Sequence, residues 1–126
     1  MALQYTYDAE NKFLLIKISG ALIWDELKQL AFEIASSSEF PSTVNTLYDM
    51  IEMDFSNVTA EFEEKVIAFR KQLKRGDAKI ACLVSSDVGF GMGRMYEVLS
   101  EGLPQQVRVF KNHEEAQSWL ISDKQG

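Results

Sequence analysis

Several things are scarce in this chain, and each scarcity removes a class of protein. Its 126 residues include one cysteine, two prolines and one histidine, and its 13 lysines and arginines stand against 19 aspartates and glutamates. A lone cysteine, Cys82, allows no intramolecular disulfide and no cysteine cage for a metal. Its place inside an apolar run marks it as a buried thiol, since reactive thiolates need an exposed, electropositive setting. The net charge of -6, with no clustering of basic residues, opposes binding to nucleic acid or to an anionic membrane surface. No apolar run approaches the ~20 residues that cross a bilayer. The amino terminus alternates polar and apolar residues, unlike a signal peptide, so the cytosol is the expected compartment.

What remains is ordinary globular composition, 46% hydrophobic and 25% charged, and a length that suits one domain over residues 1–126. Such a domain buries roughly two thirds of its unfolded surface. There is no internal repeat, low-complexity tract or linker.

The chain is organised around Ala78 to Tyr96. Ile80 to Val84 is a short, continuous apolar run, as expected of a parallel strand covered on both faces by helices. Gly89, Gly91 and Gly93 follow, read as a turning loop before Met92, Met95, Tyr96 and Leu99 resume a helical stripe. Ligands of open α/β sheets gather at the carboxyl ends of strands, which places any site near Ser85 to Arg94.

Upstream, Leu3, Tyr5 and Tyr7 alternate with polar residues, and Asp8 to Asn11 supplies turn formers before Phe13 to Ile18. This reads as an antiparallel hairpin, with Gly20 ending its second strand. From Trp24 the period becomes helical through Leu27, Leu30, Ala31 and Ile34, with Asp25 and Glu26 at the positive end of the helix dipole. Ser36 to Ser38 frays this helix and Phe40-Pro41 stops it. A strand follows from Val44 to about Met50, then an irregular loop from Met50 to Asn57.

Phe62, Val66, Phe69 and Leu73 mark a second helix, with Glu61, Glu63 and Glu64 at its start, Lys71, Lys74 and Arg75 at its end and Gly76 just beyond. The third helix reaches about Glu101 and breaks at Gly102 to Pro104. Val107, Val109 and Phe110 form the last strand. Asn112, three residues before Glu115, opens a final helix with Ala116, Trp119 and Leu120 facing inward, and residues 122–126 form a frayed tail. The expected fold class is α/β: a mixed sheet of about five strands with about four helices, in the order β, β, α, β, α, β, α, β, α.

This order, with Ile18-Ser-Gly20, Leu47-Tyr-Asp49, Lys79-Ile-Ala81, Gly93-Arg-Met-Tyr-Glu97, Val109-Phe110 and Glu114 to Leu120, resembles the STAS superfamily of sulphate-transporter and anti-sigma-factor-antagonist domains. In particular it resembles the stand-alone branch called stage II sporulation protein AA-like. The resemblance implies a single α/β domain, usually non-enzymatic, that docks to a partner or holds a small ligand. It also implies a phosphorylation switch at the start of the second crossover helix. A gapless match from Asp49 aligns Asp54-Phe55 and brings Thr59 to that position, but Asn57, Val58 and Ala60 depart from the pattern. Phosphate there would also face Glu61, Glu63 and Glu64. The preferred reading of Thr59 is an N-cap, worth about 1 kcal/mol.

Other chemistry is weighed in the same way. The three glycines with Arg94 invite an anion, but they match neither the Walker pattern nor the dinucleotide fingerprint. Pairing of Arg94 with a local carboxylate such as Glu97, or with the nearby acidic loop, is preferred. His113 lies at the start of the last helix with no nucleophile named beside it. Asp49, Glu52 and Asp54 offer three carboxylates for Mg²⁺, but solvated acids are preferred, so no metal and no cofactor is expected. Met50, Ile51, Met53 and Phe55 must either tuck into the core or be presented as an adaptable surface. Trp24 and Phe32 either extend such a patch or pack under the sheet edge.

No complete catalytic constellation appears, so a non-enzymatic binding module is expected. It would act on a protein partner, or on itself as a homodimer, through the Met50 to Thr59 loop and the neighbouring helices. The alternative is a small-molecule, lipid or anion carrier or sensor with a pocket among Asp49, Ser85 and Arg94, lined by Tyr48, Phe90 and Tyr96. The binding candidates are therefore Asp49, Met50, Met53, Phe55, Ser85, Gly91 and Arg94, with Thr59 as the phosphorylation candidate.

Overall fold

The computed structural model describes residues 3–73 and 76–122; Lys74, Arg75 and residues 123–126, where a helix end and a frayed tail are expected, lie outside the described residues. The elements are β1 (Leu3–Asp8), β2 (Phe13–Ala21), α1 (Trp24–Ser36), β3 (Asn45–Asp54), α2 (Ala60–Leu73), β4 (Lys79–Leu83), α3 (Asp87–Leu99), β5 (Gln106–Phe110) and α4 (His113–Ile121). The strands lie side by side in chain order. β1 runs antiparallel to β2, and every later neighbour is parallel. β4 is thus internal, and all five of its residues are buried.

Each crossover steps in the same direction across the sheet, and the common handedness of such crossovers sends their helices to one face. Strand alternation shows the outcome. On that face Leu14, Ile16 and Ile18 of β2 meet Leu30 and Ile34 of α1. Ile80, Cys82, Val84 and Val109 meet Phe90 and Tyr96 of α3. On the opposite face Phe13, Leu47, Ala81, Leu83 and Phe110 pack against Ala116, Trp119 and Leu120 of α4.

Local chemistry explains the boundaries. In the β1–β2 turn the Asp8 carboxylate accepts the amides of Glu10 and Asn11 at 3.1 and 3.0 Å, and these bonds hold it below the usual carboxylate range. Lys12 takes a left-handed φ of 60° to close the turn. Asn112 Oδ1 accepts the Glu115 amide at 2.9 Å and starts α4. Lys79 is buried at the other end of α4, where its ammonium donates to Trp119 O at 2.7 Å and Ser122 Oγ at 2.9 Å. A cation there meets the negative end of the helix dipole.

Two expectations need correction. The three glycines are not a loop: α3 begins at Asp87, and Ser86 caps it by accepting the Gly89 amide at 2.9 Å. Ser86 therefore starts the helix one turn ahead of the methionine stripe. The second correction concerns residues 50–54, which are strand and not loop. β3 runs on to Asp54 alongside the end of β2, through a bulge at which the register passes from Lys17↔Asp49 to Ser19↔Glu52. The extra residue on β3 breaks strict alternation, so that Ile51 and Glu52 are both exposed and Met53 turns inward. A bulge that re-aims a side chain in this way is a recurrent feature beside binding sites.

Candidate functional site

The helices of the crossover face are not equally close to the sheet. α3 lies against β5, whereas α2 approaches α3 more closely than it approaches any strand. Large aromatic side chains fill the space between α1 and α2. Trp24 stacks edge-on with Phe62 and Phe69 at centroid distances of 6.1 and 5.6 Å, and Phe32 meets Phe69 at 5.4 Å. Trp24 and Phe32 therefore pack on α2 and not under the sheet edge. These rings prop α2 away from β3 and β4, whose residue beneath it, Cys82, is too small to fill the gap.

What is left is a cavity of about 90 Å³ within a depression enclosing about 610 Å³ of unfilled space, part of it open to solvent. Its floor is Ile18, Tyr48, Met50 and Cys82 on the strands. Its walls come from α2 through Phe62, Glu63 and Val66, and from α3 through Met92, Gly93 and Tyr96. Leu22, Met53, Phe55 and Val58 carry the lining to the carboxyl ends of the strands. Three methionines give the wall side chains that re-pack around shapes of different size.

Glu63 is the one carboxyl in this wall. It is only 5% exposed, and its Oε1 is buried with no hydrogen-bond partner among the described residues. Burial pushes its carboxyl from 4.5 up to about 7, because the apolar surroundings penalise the ionised form. The same effect pushes the Cys82 thiol up to about 12 and raises the Tyr96 phenol as well. Cys82 is therefore a packed thiol, not a nucleophile.

Behind Tyr96 a polar clamp ties α2 to α3. Arg70 donates to Tyr96 Oη at 3.0 Å, Ser100 Oγ at 2.8 Å and Gln105 Oε1 at 2.8 Å. Its guanidinium also sits 5.4 Å from the Tyr96 ring centroid. The clamp fixes one wall of the cavity while leaving the space above Cys82 unfilled.

Of the residues singled out by sequence, Met50, Met53 and Phe55 line the cavity, as does Tyr48, while Asp49, Ser85, Phe90, Gly91 and Arg94 do not. The Asp49 carboxylate accepts the Ile51 amide at 3.2 Å, within the bulge. Ser85 Oγ reaches Ile51 O at 3.5 Å, so the ends of β3 and β4 do emerge side by side. Gly91 points into open space. Arg94 pairs with Glu97 at 3.1 Å, and Glu97 in turn accepts the Val109 amide at 2.7 Å. The Thr59 hydroxyl accepts the Phe62 amide at 3.1 Å, as an N-cap does. Among the described residues no three histidine, cysteine or acidic side chains gather as a metal site, and no helix is long and apolar enough to cross a membrane.

Glu63 and Arg70 were missed by sequence reading, which placed Glu63 only among the acids at the start of the helix. The available signal was the spacing Glu63, Ile67, Arg70, one residue out of step with the Phe62, Val66, Phe69 stripe. α2 carries both: Phe62 and Phe69 meet Trp24 of α1, while Glu63 lines the cavity and Arg70 reaches α3.

This arrangement is a SpoIIAA-like fold, which corresponds to the STAS-like architecture. Among solved structures, the chain is similar to an uncharacterized protein of the DUF3478 family with a SpoIIAA-like fold from Shewanella loihica PV-4. The two share a TM-score of 0.65 and 16% sequence identity over 94% of this chain and 92% of that one. No protein-family model matches the sequence, and no curated protein matches it.

Proposed function

We propose that the protein is a non-enzymatic binding module that carries or senses a small apolar molecule in the cavity between the sheet and α2. The observation behind this reading is a preformed apolar space at the strand ends whose wall holds a single buried, unpartnered carboxyl. Natural interiors are close-packed, and an apolar void of this kind forfeits contacts unless something occupies it. Small-molecule sites have this character, mostly apolar with few polar groups. Native mass spectrometry of protein taken directly from cells tests the reading. The expected result is a discrete added mass that Val66→Trp, which fills the cavity, abolishes. Unadducted protein that also shows no thermal shift with any apolar probe overturns it.

A second reading, docking to a protein or to a second copy of the chain, is favoured by one observation. Val88 and Val98 are 64% and 62% exposed and lie with Gly91 and Met95 along the outward face of α3. An exposed apolar stripe of this kind marks interaction surfaces. The same mass spectra report oligomeric state, and a dimer that Val88→Lys and Val98→Lys dissolve would support this reading.

A further inference from the structure

The chemistry of the cavity wall narrows the class of molecule it takes; this inference rests on the ligand-binding reading above. The 14 lining residues other than Glu63 present carbon, sulfur or, in Tyr48 and Tyr96, phenol edges. Tyr96 is already engaged by Arg70. Among the described residues, Glu63 Oε1 is the one polar atom of the cavity wall that is buried without a partner. We propose that the ligand is an uncharged molecule with an apolar body and one hydrogen-bond-accepting oxygen, such as a ketone, ester or amide, to which the Glu63 carboxyl donates its proton.

Each alternative head group fails on desolvation. An anionic head would share a low-dielectric space with a carboxyl and with no cation in the wall, so that one of the two must neutralise. A cationic amine would require two charges taken out of water together, whose mutual attraction seldom repays the loss of hydration. The Arg70 guanidinium, two turns along the same helix, would oppose it further. A neutral acceptor takes one hydrogen bond from the Glu63 carboxyl and leaves no polar atom of the cavity wall unpaired.

The titratable groups on the surrounding elements leave this assignment with Glu63. Tyr48 stands on β3 and Cys82 on β4, while α3 supplies Tyr96 and Glu97, α2 Arg70, and α1 Glu26. The Cys82 and Tyr96 protons are held more tightly than usual by burial. Glu97 is committed to Val109 N and Arg94. One oxygen of Glu26 is also buried without a partner among the described residues, but Glu26 is not in the cavity wall.

The test compares three probes with one chain and different heads: 2-octanone, octylamine and octanoate. Binding to the full chain is measured by titration calorimetry at about pH 6 and about pH 8. 2-Octanone should bind best, and its affinity should fall about tenfold between the two pH values as Glu63, with its carboxyl near 7, gives up its proton. Glu63→Gln, whose amide donates at either pH, should keep the affinity and lose the pH dependence. The carbonyl stretch of bound, ¹³C-labelled 2-octanone should move to lower frequency in the wild type and not in Glu63→Leu. Preference for octylamine or octanoate overturns the inference, as does a pH dependence that survives in Glu63→Gln. Binding without preference among the heads overturns the inference alone, whereas failure of all three probes to bind overturns the ligand-binding reading with it.

Discussion

The two faces of the sheet are built from similar residues and filled to different degrees. Under α4 the strand residue is Ala81 and the helix residue is Ala116, both fully buried. Two small side chains facing each other let the helix come down onto the sheet, where Leu47, Leu83 and Leu120 close the remaining space. Across the same strand, one residue further on, the small side chain is Cys82. Opposite it stands α2, held off by Trp24, Phe62 and Phe69 and clamped to α3 by Arg70. Small residues produce close packing where the helix is free to descend, and a void where other contacts hold it up. A difference in helix support, more than in strand composition, separates a close-packed face from one that holds a cavity.

The largest effect that tests this contrast is truncation on each side. Leu47→Ala or Leu120→Ala removes a fully buried side chain from a close-packed cluster and should cost about 3 kcal/mol, by chemical denaturation. Val66→Ala removes atoms already bordering a void, so its cost should be about 1 kcal/mol. Equal losses on the two faces would mean that the cavity face is as tightly determined as the other. Gly93→Ala should come next, at about 2 kcal/mol. A Cβ there would stand 2.5 Å from Val109 Cγ2, so α3 must lift from the edge strand or Val109 must leave its rotamer.

A smaller effect reads the cavity through pH. Glu63 has its native carboxyl raised from 4.5 to about 7 by burial. The folded chain therefore holds this proton more tightly than the unfolded chain. The stabilisation is complete below about pH 4.5 and is lost progressively as pH rises through about 7. Asp8, Asp54 and Asp87 are shifted the other way, by hydrogen bonds from Asn11 and Ser56 and from Lys111. Their contribution is lost only as pH falls through the acid range, which leaves the two windows separate. Melting temperatures should thus decline between about pH 4.5 and pH 7 in the wild type, level off above that, and stay flatter throughout in Glu63→Gln. Parallel curves would place Glu63 in water in both states.

The order of elements was legible because each carries its own local signature: alternation in β1, an unbroken apolar run in β4, Asn112 before Glu115. The strand-end location was legible for a general reason, since crossovers bring their loops to one rim, and Met50, Met53 and Phe55 do line the cavity. Its depth and chemistry were not. Whether Glu63 faces water or the sheet depends on the roll of α2, which is set by Trp24 and Phe32 from a distant helix and by Arg70 reaching Tyr96, Ser100 and Gln105. The bulge at Met50 and Ile51 was hidden for a similar reason, because one strand's surplus residue shows only against its neighbour. The glycines misled because a side chain's absence reads alike in a loop and in a helix that must lie close to a strand.

That last ambiguity yields the smallest prediction and a sharp one, because Gly91 and Gly93 sit two residues apart on one helix and face opposite ways. A Cβ on Gly93 meets Val109, while a Cβ on Gly91 meets nothing within 4 Å. Glycine inside an exposed helix is less favourable than alanine by about 1 kcal/mol, chiefly through the freedom it grants the unfolded chain. Gly91→Ala should therefore stabilise the fold by up to that amount in the same denaturation series in which Gly93→Ala destabilises it. Helix α3 would then be shown to begin at Asp87, since alanine gains nothing in a loop that needs glycine's backbone freedom. Destabilisation by Gly91→Ala would return these residues to a turn and detach the cavity wall at Met92 and Gly93 from its support.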